Sequence, residues 1–290
     1  MDFGLALPNF PDGASREGLE AGAEIAERLG WSTVWTTDHI LVPIKDAGDY
    51  GRIYEAILSL AWIGAKYSQV RLATSVIVIP QRNAVLVAKE LATLDALTGG
   101  RVIAGIGGGW NEKEYANIGM ADRFRVRGAY VEETVALWRH LWSGSTDPFR
   151  GRFHQFDDFA FGPLPDQGAK LPIVIGGRVP TAVERAGRIA DGYHSSTTSP
   201  TQYAERVPIL REAAKAAGRP MPWLTARVRV VDTPGDKFYA IRGTPEEMAD
   251  EVRAYSALGV EHLALWFGAT EPEELEVRAE RFAHDVAPLV

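Results

Sequence analysis

Asp38 and His39 stand together at the end of a short apolar run, residues 33–37. A histidine there can serve a ligand as acid, base or hydrogen-bond donor, and the pair invites a proton-relay reading. Neighbours on a strand point to opposite faces, so the two need not touch each other. The plainer reading is two polar residues that end a strand. A second candidate is VIAGIGGGWNEKE, residues 102–114, where an apolar run stops in Gly105, Gly107, Gly108 and Gly109 before Trp110. Glycine concentrated there lets the backbone take unusual dihedrals or lets something approach closely. It makes either a loop whose amides meet an anionic or flat ligand or a tight turn between strand and helix. A dinucleotide fingerprint fails, since position 110 is tryptophan and the run is not the first strand. The third candidate is Gly176-Gly177-Arg178, between a strand and a helix start. Exposed amides, the helix dipole and a guanidinium favour a phosphate there. The alternative is a glycine turn with a surface arginine, and barrel phosphate sites more often follow the seventh and eighth strands.

Other chemistries are excluded more simply. The chain has no cysteine, hence no disulfide, thiolate nucleophile or cysteine metal site. Its six histidines, at 39, 140, 154, 194, 262 and 284, include no HExxH or other close ligand spacing, so no metal site is expected. No Ser–His–Asp arrangement follows from spacing, and Asp95 and Asp122 read as ordinary caps or solvated groups. A net charge of −7 offers no general attraction for nucleic acid or an anionic membrane. No apolar run reaches the roughly 18 residues of a membrane span. The lack of cysteine makes the cytoplasm the expected compartment, and the opening MDFGLALPNF, without a basic leader pattern, reads as a first strand.

The elements that must position these residues alternate regularly. Short apolar runs at residues 3–7, 33–37, 71–79, 102–106, 173–175, 190–195, 223–231 and 262–267 read as strands. Helical patterns follow them. One is opened by Ser15 and stopped by Gly30, one covers residues 53–66, and one carries Val87, Leu91 and Leu94. Another carries Tyr130, Thr134, Leu137, Trp138 and Leu141, and one starts near Pro180. Ser199 to Gln202 and Thr244 to Glu247 have capping-box spacing, and Pro208 is expected to kink the helix it falls in. Eight βα units with apolar strands argue for a parallel sheet covered by helices, closed as a (β/α)8 TIM barrel in one domain over residues 1–290. An open sheet remains the alternative, because little helix fits between the fifth and sixth strands. Residues 145–171, with FRGRFHQF, read as an inserted hairpin and loop on the barrel rim between the fourth and fifth strands.

Together the segments WSTVWTTDHI, RLATSVIVIPQRNAVLVAKELATLDALTGGRVIAGIGGGWNEKEY, YVEETVALWRHLW and PIVIGGRVPTAVERAGRIADGYHSS resemble the bacterial-luciferase-like family of flavin and deazaflavin oxidoreductases. Within it the chain is most similar to actinobacterial members that use coenzyme F420. The resemblance implies a cofactor-binding role for Asp38, His39, Ser75, Val76, Gly107, Gly108, Gly109, Trp110, Gly176, Gly177, Arg178, Ser195 and Ser196. It places His39 nearest the hydride-transfer chemistry, as the catalytic residue. It puts a non-proline cis peptide at Ser75-Val76, behind the deazaflavin ring. It also implies hydride transfer with a small-molecule substrate and a homodimer. Two departures matter. Trp110 stands where the F420-type glucose-6-phosphate dehydrogenases of the family carry a glutamate acid, and residues 197–201 lack the lysines that grip the sugar phosphate. Glucose 6-phosphate is therefore not the expected substrate, and no proton donor is assigned. Trp110 is left either to wall the substrate side or to pack on the rim. The substrate cavity is expected to be shaped by residues 145–171 and by the loops after the seventh and eighth strands. Two rival readings stay open: an FMN-dependent monooxygenase of the same fold, and a non-catalytic flavin- or deazaflavin-binding protein.

Overall fold

The computed structural model describes residues 1–11, 13–231 and 238–290. Eight strands pair in parallel in the order of the chain: β1 (Asp2–Ala6), β2 (Thr33–Thr36), β3 (Arg71–Thr74), β4 (Val102–Gly107), β5 (Ile173–Gly176), β6 (Gly192–Ser196), β7 (Trp223–Val230) and β8 (His262–Trp266). β1 pairs with both β2 and β8, and β6 with β7, so the sheet closes on itself and no open edge remains among these strands. The open-sheet alternative is thereby removed. A helix follows each strand: α1 (Arg16–Arg28), α2 (Ala56–Gly64), α3 (Ala84–Leu97), α4 (Arg127–Trp142), α5 (Pro180–Ile189), α6 (Pro200–Ala216), α7 (Pro245–Ala257) and α8 (Pro272–Arg281). Ten residues suffice for α5, which is why the short spacing between the fifth and sixth strands still accommodates a helix. No described helix is long and apolar enough to cross a membrane.

Local sequence sets most boundaries. The Ser15 hydroxyl accepts from the Gly18 amide at the start of α1, and Ser199 and Thr244 both form complete capping boxes. α6 runs through Pro208 as one continuous helix. Pro208 lies on the exposed side, where water can serve the carbonyl that the missing amide leaves unpaired, while Tyr203, Val207 and Leu210 bury the other face. Apolar residues between sheet and helices form the large core. Inside the barrel a smaller cluster of Trp35, Ala73, Ile103, Val174 and Ala264 fills the lower layers.

Three sequence expectations are corrected. The third strand does not run unbroken over residues 71–79. It stops at Thr74, bulges through a cis Ser75-Val76 peptide and resumes as a two-residue pairing of Ile77–Val78 with β4. The reason is local: the Thr74 hydroxyl donates to the Gly105 carbonyl at 2.7 Å and accepts from the Gly105 amide at 2.9 Å, taking the place of a backbone rung. Asp95 is no ordinary cap. Fully buried, it accepts from the Val102 amide and from both the amide and the side chain of Gln167, which pins the start of β4.

The third correction concerns residues 145–171. The hairpin exists, pairing Phe149–Arg150 with Gln155–Phe156, but it does not lie on the rim. It leaves from the C-terminal end of α4 and leads into β5, a connection that belongs to the barrel face opposite the strand ends. Its contacts run along α3 and α4. Glu133 accepts from the Phe153 and His154 amides, Lys89 stacks on Phe161, and Arg139 donates to the Leu171 carbonyl.

Gly105 is the tightest point of the barrel: an added Cβ would fall 1.8 Å from the Thr74 carbonyl oxygen. Gly30, with φ +69° and open space around it, is a turn glycine only. Gly105→Ala is expected to cost about 3 kcal/mol through overpacking against backbone, and Gly30→Ala about 1 kcal/mol. Urea unfolding midpoints of the two variants measure the difference.

Candidate active site

The C-terminal ends of the strands hold most of the residues singled out from sequence. Asn9, just after β1, is fully buried; its amide donates to the Thr37 and Tyr54 carbonyls and accepts from the Thr37 amide. That clamp fixes the turn after β2 from which Asp38 and His39 project. The two diverge, as neighbours on an extended chain must. Asp38 accepts from the Val78 amide at 2.9 Å and from Arg82 at 2.5 Å. Arg82 also pairs with Glu55 at 3.0 Å. Asp38 thus fastens the far side of the Ser75-Val76 bulge.

His39 turns instead to Glu114. Its Nδ1 lies 2.9 Å from Glu114 Oε2, with the two side chains 7% and 1% exposed. The Ile40 amide donates to the other carboxylate oxygen at 2.7 Å. Burial opposes ionisation of Glu114, but the hydrogen bond and charge of His39 and the Ile40 amide outweigh it and hold the carboxyl below its ordinary value. An ionised Glu114 can only accept, so the Nδ1–H of His39 donates to it and Nε2 is the ring nitrogen turned away from it. A carboxylate that orients a histidine and steadies its charged form is the arrangement of a general acid–base pair. Tyr50 lies against the His39 ring at 4.2 Å, and Trp110, 57% exposed, meets the same ring edge-on at 6.1 Å. Trp110 therefore sits on the mouth beside the histidine.

The glycines around Gly107 have a packing duty of their own. A Cβ at Gly107 would fall 2.8 Å from a Val76 methyl, one at Gly176 3.0 Å from Val76, and one at Gly109 (φ +64°) 2.5 Å from Val78. They make room for the bulge. Gly108 faces the stem of Arg127. Below the bulge, the Ser75 hydroxyl meets His194 Nε2 at 2.8 Å, and His194 stacks on Trp35 at 4.3 Å. Burial, then the charge of Arg227, pushes His194 well below its ordinary value, so it is a neutral strut.

A second group lies across the ends of β5 and β6. Gly177 accepts from the Tyr193 hydroxyl at 2.7 Å. Arg206 donates to Ser195 Oγ at 2.7 Å and Thr198 Oγ1 at 2.6 Å. Ser195 is fully buried in this contact, whereas Ser196 is half-buried at the strand end. No side chain caps α5, whose first turn follows the exposed Arg178 and Val179. Among the described residues neither Arg178 nor Arg206 has a carboxylate partner. Uncapped amides and two uncompensated guanidinium groups make a place for an anion. No three metal-ligating side chains converge among the described residues.

Glu114, Tyr50, Arg82 and Arg206 were not singled out from the sequence. The spacing of Asn111 and Glu114 imitates a capping box, and Asn111 does cap the short helix Glu112–Asn117. The glutamate, however, reaches across to residue 40 rather than back to its own cap. A signal was available: Glu114 follows the glycine stretch at a strand end. Tyr50 lies in the connection after β2, residues 40–55, which borders the mouth in place of the hairpin expected there. The loop after β7 falls partly outside the described residues, so its share in a cavity is not described.

Glu114→Gln should cost about 1–3 kcal/mol, the range for a hydrogen bond to a buried charge. It should also change the pH profile. A carboxyl held low in the folded state contributes stability that is fully present above the unfolded value of about 4.3 and is lost as pH falls through the folded one. Urea unfolding between pH 6 and pH 3 is expected to show a shallower acid limb for Glu114→Gln than for the parent.

Comparison with known proteins agrees with the fold. Residues 1–234 match the model of the luciferase-like monooxygenase family. An F420-dependent glucose-6-phosphate dehydrogenase of Mycolicibacterium fortuitum is 30% identical over 286 residues, 90% of this chain and 82% of that one. One of the same name from Kineococcus radiotolerans is 35% identical over 197 residues, 67% of this chain and 57% of that one. An F420-dependent secondary alcohol dehydrogenase, solved with an F420–acetone adduct, superposes with a TM-score of 0.84 at 20% identity, covering 100% of this chain and 98% of that one. The oxygenating constituent of 3,6-diketocamphane monooxygenase from Pseudomonas putida, with FMN, gives 0.81 at 15% identity, covering 100% and 98%. The chain belongs to the luciferase-like monooxygenase family.

Proposed function

We propose that this protein is an oxidoreductase that passes a hydride between the deazaflavin coenzyme F420 and a small organic substrate. The observation that carries this reading is the His39–Glu114 pair, set at the barrel mouth beside the Ser75-Val76 bulge. The relatives from Mycolicibacterium and Kineococcus carry F420 in their names. The residues present also fit a flat ring with an anionic tail. The bulge with Gly107, Gly108 and Gly109 offers a surface for the ring. Gly176, Gly177, Arg178, Ser195, Ser196 and Arg206, with the uncapped start of α5, offer donors for the tail.

When bound, the deazaflavin supplies the hydride chemistry. The protein supplies position, dryness and a proton path. In the oxidising direction His39 Nε2 takes the proton of a substrate hydroxyl, while Glu114 stabilises the imidazolium that results. In the reducing direction His39 returns it. This assigns the proton donor that Trp110 cannot be, since an indole offers only a weak N–H donor and no titratable acid. Trp110 and Tyr50 form the wall that keeps the histidine from open solvent.

The substrate we propose is not glucose 6-phosphate, although the relatives are named for it. Residues 197–201 carry no cation, and the Thr198 hydroxyl is already held by Ser195 and Arg206.

Side-by-side titration tests the cofactor: F420 is expected to saturate the protein stoichiometrically and FMN to bind weakly. Stoichiometric FMN, with oxygen consumed when the FMN is reduced, would establish the monooxygenase reading instead. His39→Ala should lower turnover by about 10²–10⁴ while F420 affinity stays within threefold. Unchanged turnover would leave only a binding protein. Glucose 6-phosphate is expected to give no reduction of bound F420, followed by absorbance.

A further inference from the structure

The inner face of β7 carries Thr225, which meets His194 inside the barrel, and two positions further toward the mouth, Arg227. Arg227 Nη1 donates to the Thr37 hydroxyl and, at 3.5 Å, to the Ser75 carbonyl, and the guanidinium lies 5.6 Å from the centre of the Phe10 ring. Among the described residues its Nε and Nη2 have no hydrogen-bond partner. Among the described residues no carboxylate pairs with it, in contrast to Arg82, which engages both Asp38 and Glu55. Burial, with the charge of Arg229 nearby, weakens its hold on its proton. A half-buried cation without a counter-charge is costly unless an anion shares the space.

The groups beside it are aromatic. Phe10 stacks on Trp266 at 5.6 Å and 9° and on Tyr50 at 5.9 Å and 19°. Tyr50 in turn lies against His39. The planar guanidinium fork matches the planar geometry of a carboxylate. We propose that Arg227 anchors a carboxylate on the substrate, whose apolar body meets the partly exposed Tyr50 and Trp266 within reach of His39. This rests on the F420 reading and names the substrate class of that same site.

Benzoate and its neutral analogue benzamide are the probes, titrated by calorimetry into F420-loaded and cofactor-free protein. The loaded parent is expected to bind benzoate at least about tenfold more tightly than benzamide, the worth of a charged hydrogen bond. Arg227→Met should abolish that preference while F420 affinity, read by fluorescence quenching, stays within threefold. Arg227→Lys, which keeps the charge and loses the fork, should retain part of it and guards against a folding defect in the methionine variant. Equal binding of the two probes to the parent, loaded and cofactor-free, overturns the proposal. So does an Arg227→Met variant that loses F420 affinity but keeps its benzoate preference, since the guanidinium then serves the cofactor. Failure of the parent to bind F420 strikes the cofactor reading alone, and an Arg227-dependent benzoate preference in the cofactor-free protein would still support the anion site.

Discussion

The space vacated by Gly105, Gly107 and Gly176 is what the mouth of this barrel depends on. Val76 enters that space from the neighbouring strand, and any side chain at Gly107 or Gly176 would collide with its methyl groups. Interiors are packed too tightly to absorb such a collision. The displaced backbone then needs new partners, which explains the crowd of polar side chains around it. Asp38 holds the Val78 amide, Thr74 bridges to Gly105, and Ser75 rests on His194. Arg82, carrying Asp38, is fixed in turn through its own carbonyl, which accepts from both Arg123 and Tyr130. Asp38 is fully occupied with this bracing, while its neighbour His39 turns to the other side and meets Glu114.

The fold was legible because its signals are local and repeated. Apolar runs of strand length, Ser15 and Thr244 as caps, and Gly30 at positive φ each act over a few residues, and the structure places them as the pattern predicts. The site was legible only in outline. Asp38 and His39 were visible as polar residues at a strand end, but Glu114 was hidden in a helix-capping pattern. Its direction is decided by the Ile40 amide, 74 positions away in sequence. Arg227 alternates with valines in RVRVV, which in a strand buried on both sides was a readable anomaly. The glycines were ambiguous because packing and ligand approach demand the same residue. The hairpin was misplaced because composition carries no information about which end of the barrel a connection serves.

The barrel interior is not uniformly apolar. His262 Nδ1 contacts Asp2 at 2.7 Å, and Trp35 donates its indole N–H to His262 Nε2 at 3.0 Å. Because the indole can only donate, the His262 proton must sit on Nδ1. Trp35 then stacks on His194, which supports Ser75. A file of polar groups thus runs from the bottom of β1 to the bulge, each member paired, as buried polar groups must be. Through it the least exposed layer of the barrel orients the bulge at the mouth.

The pairing of β1 with β8 also sets an order of assembly. During synthesis the residues of the His39–Glu114 pair emerge within the first 114 positions, but β1 has no second neighbour until residues 262–265 appear. Until then its backbone presents an open edge, the kind of surface that recruits foreign strands. The aromatic wall is also incomplete until Trp266 arrives. A chain cut short before β8 therefore carries the His39–Glu114 pair and an adhesive edge, but no closed barrel around them.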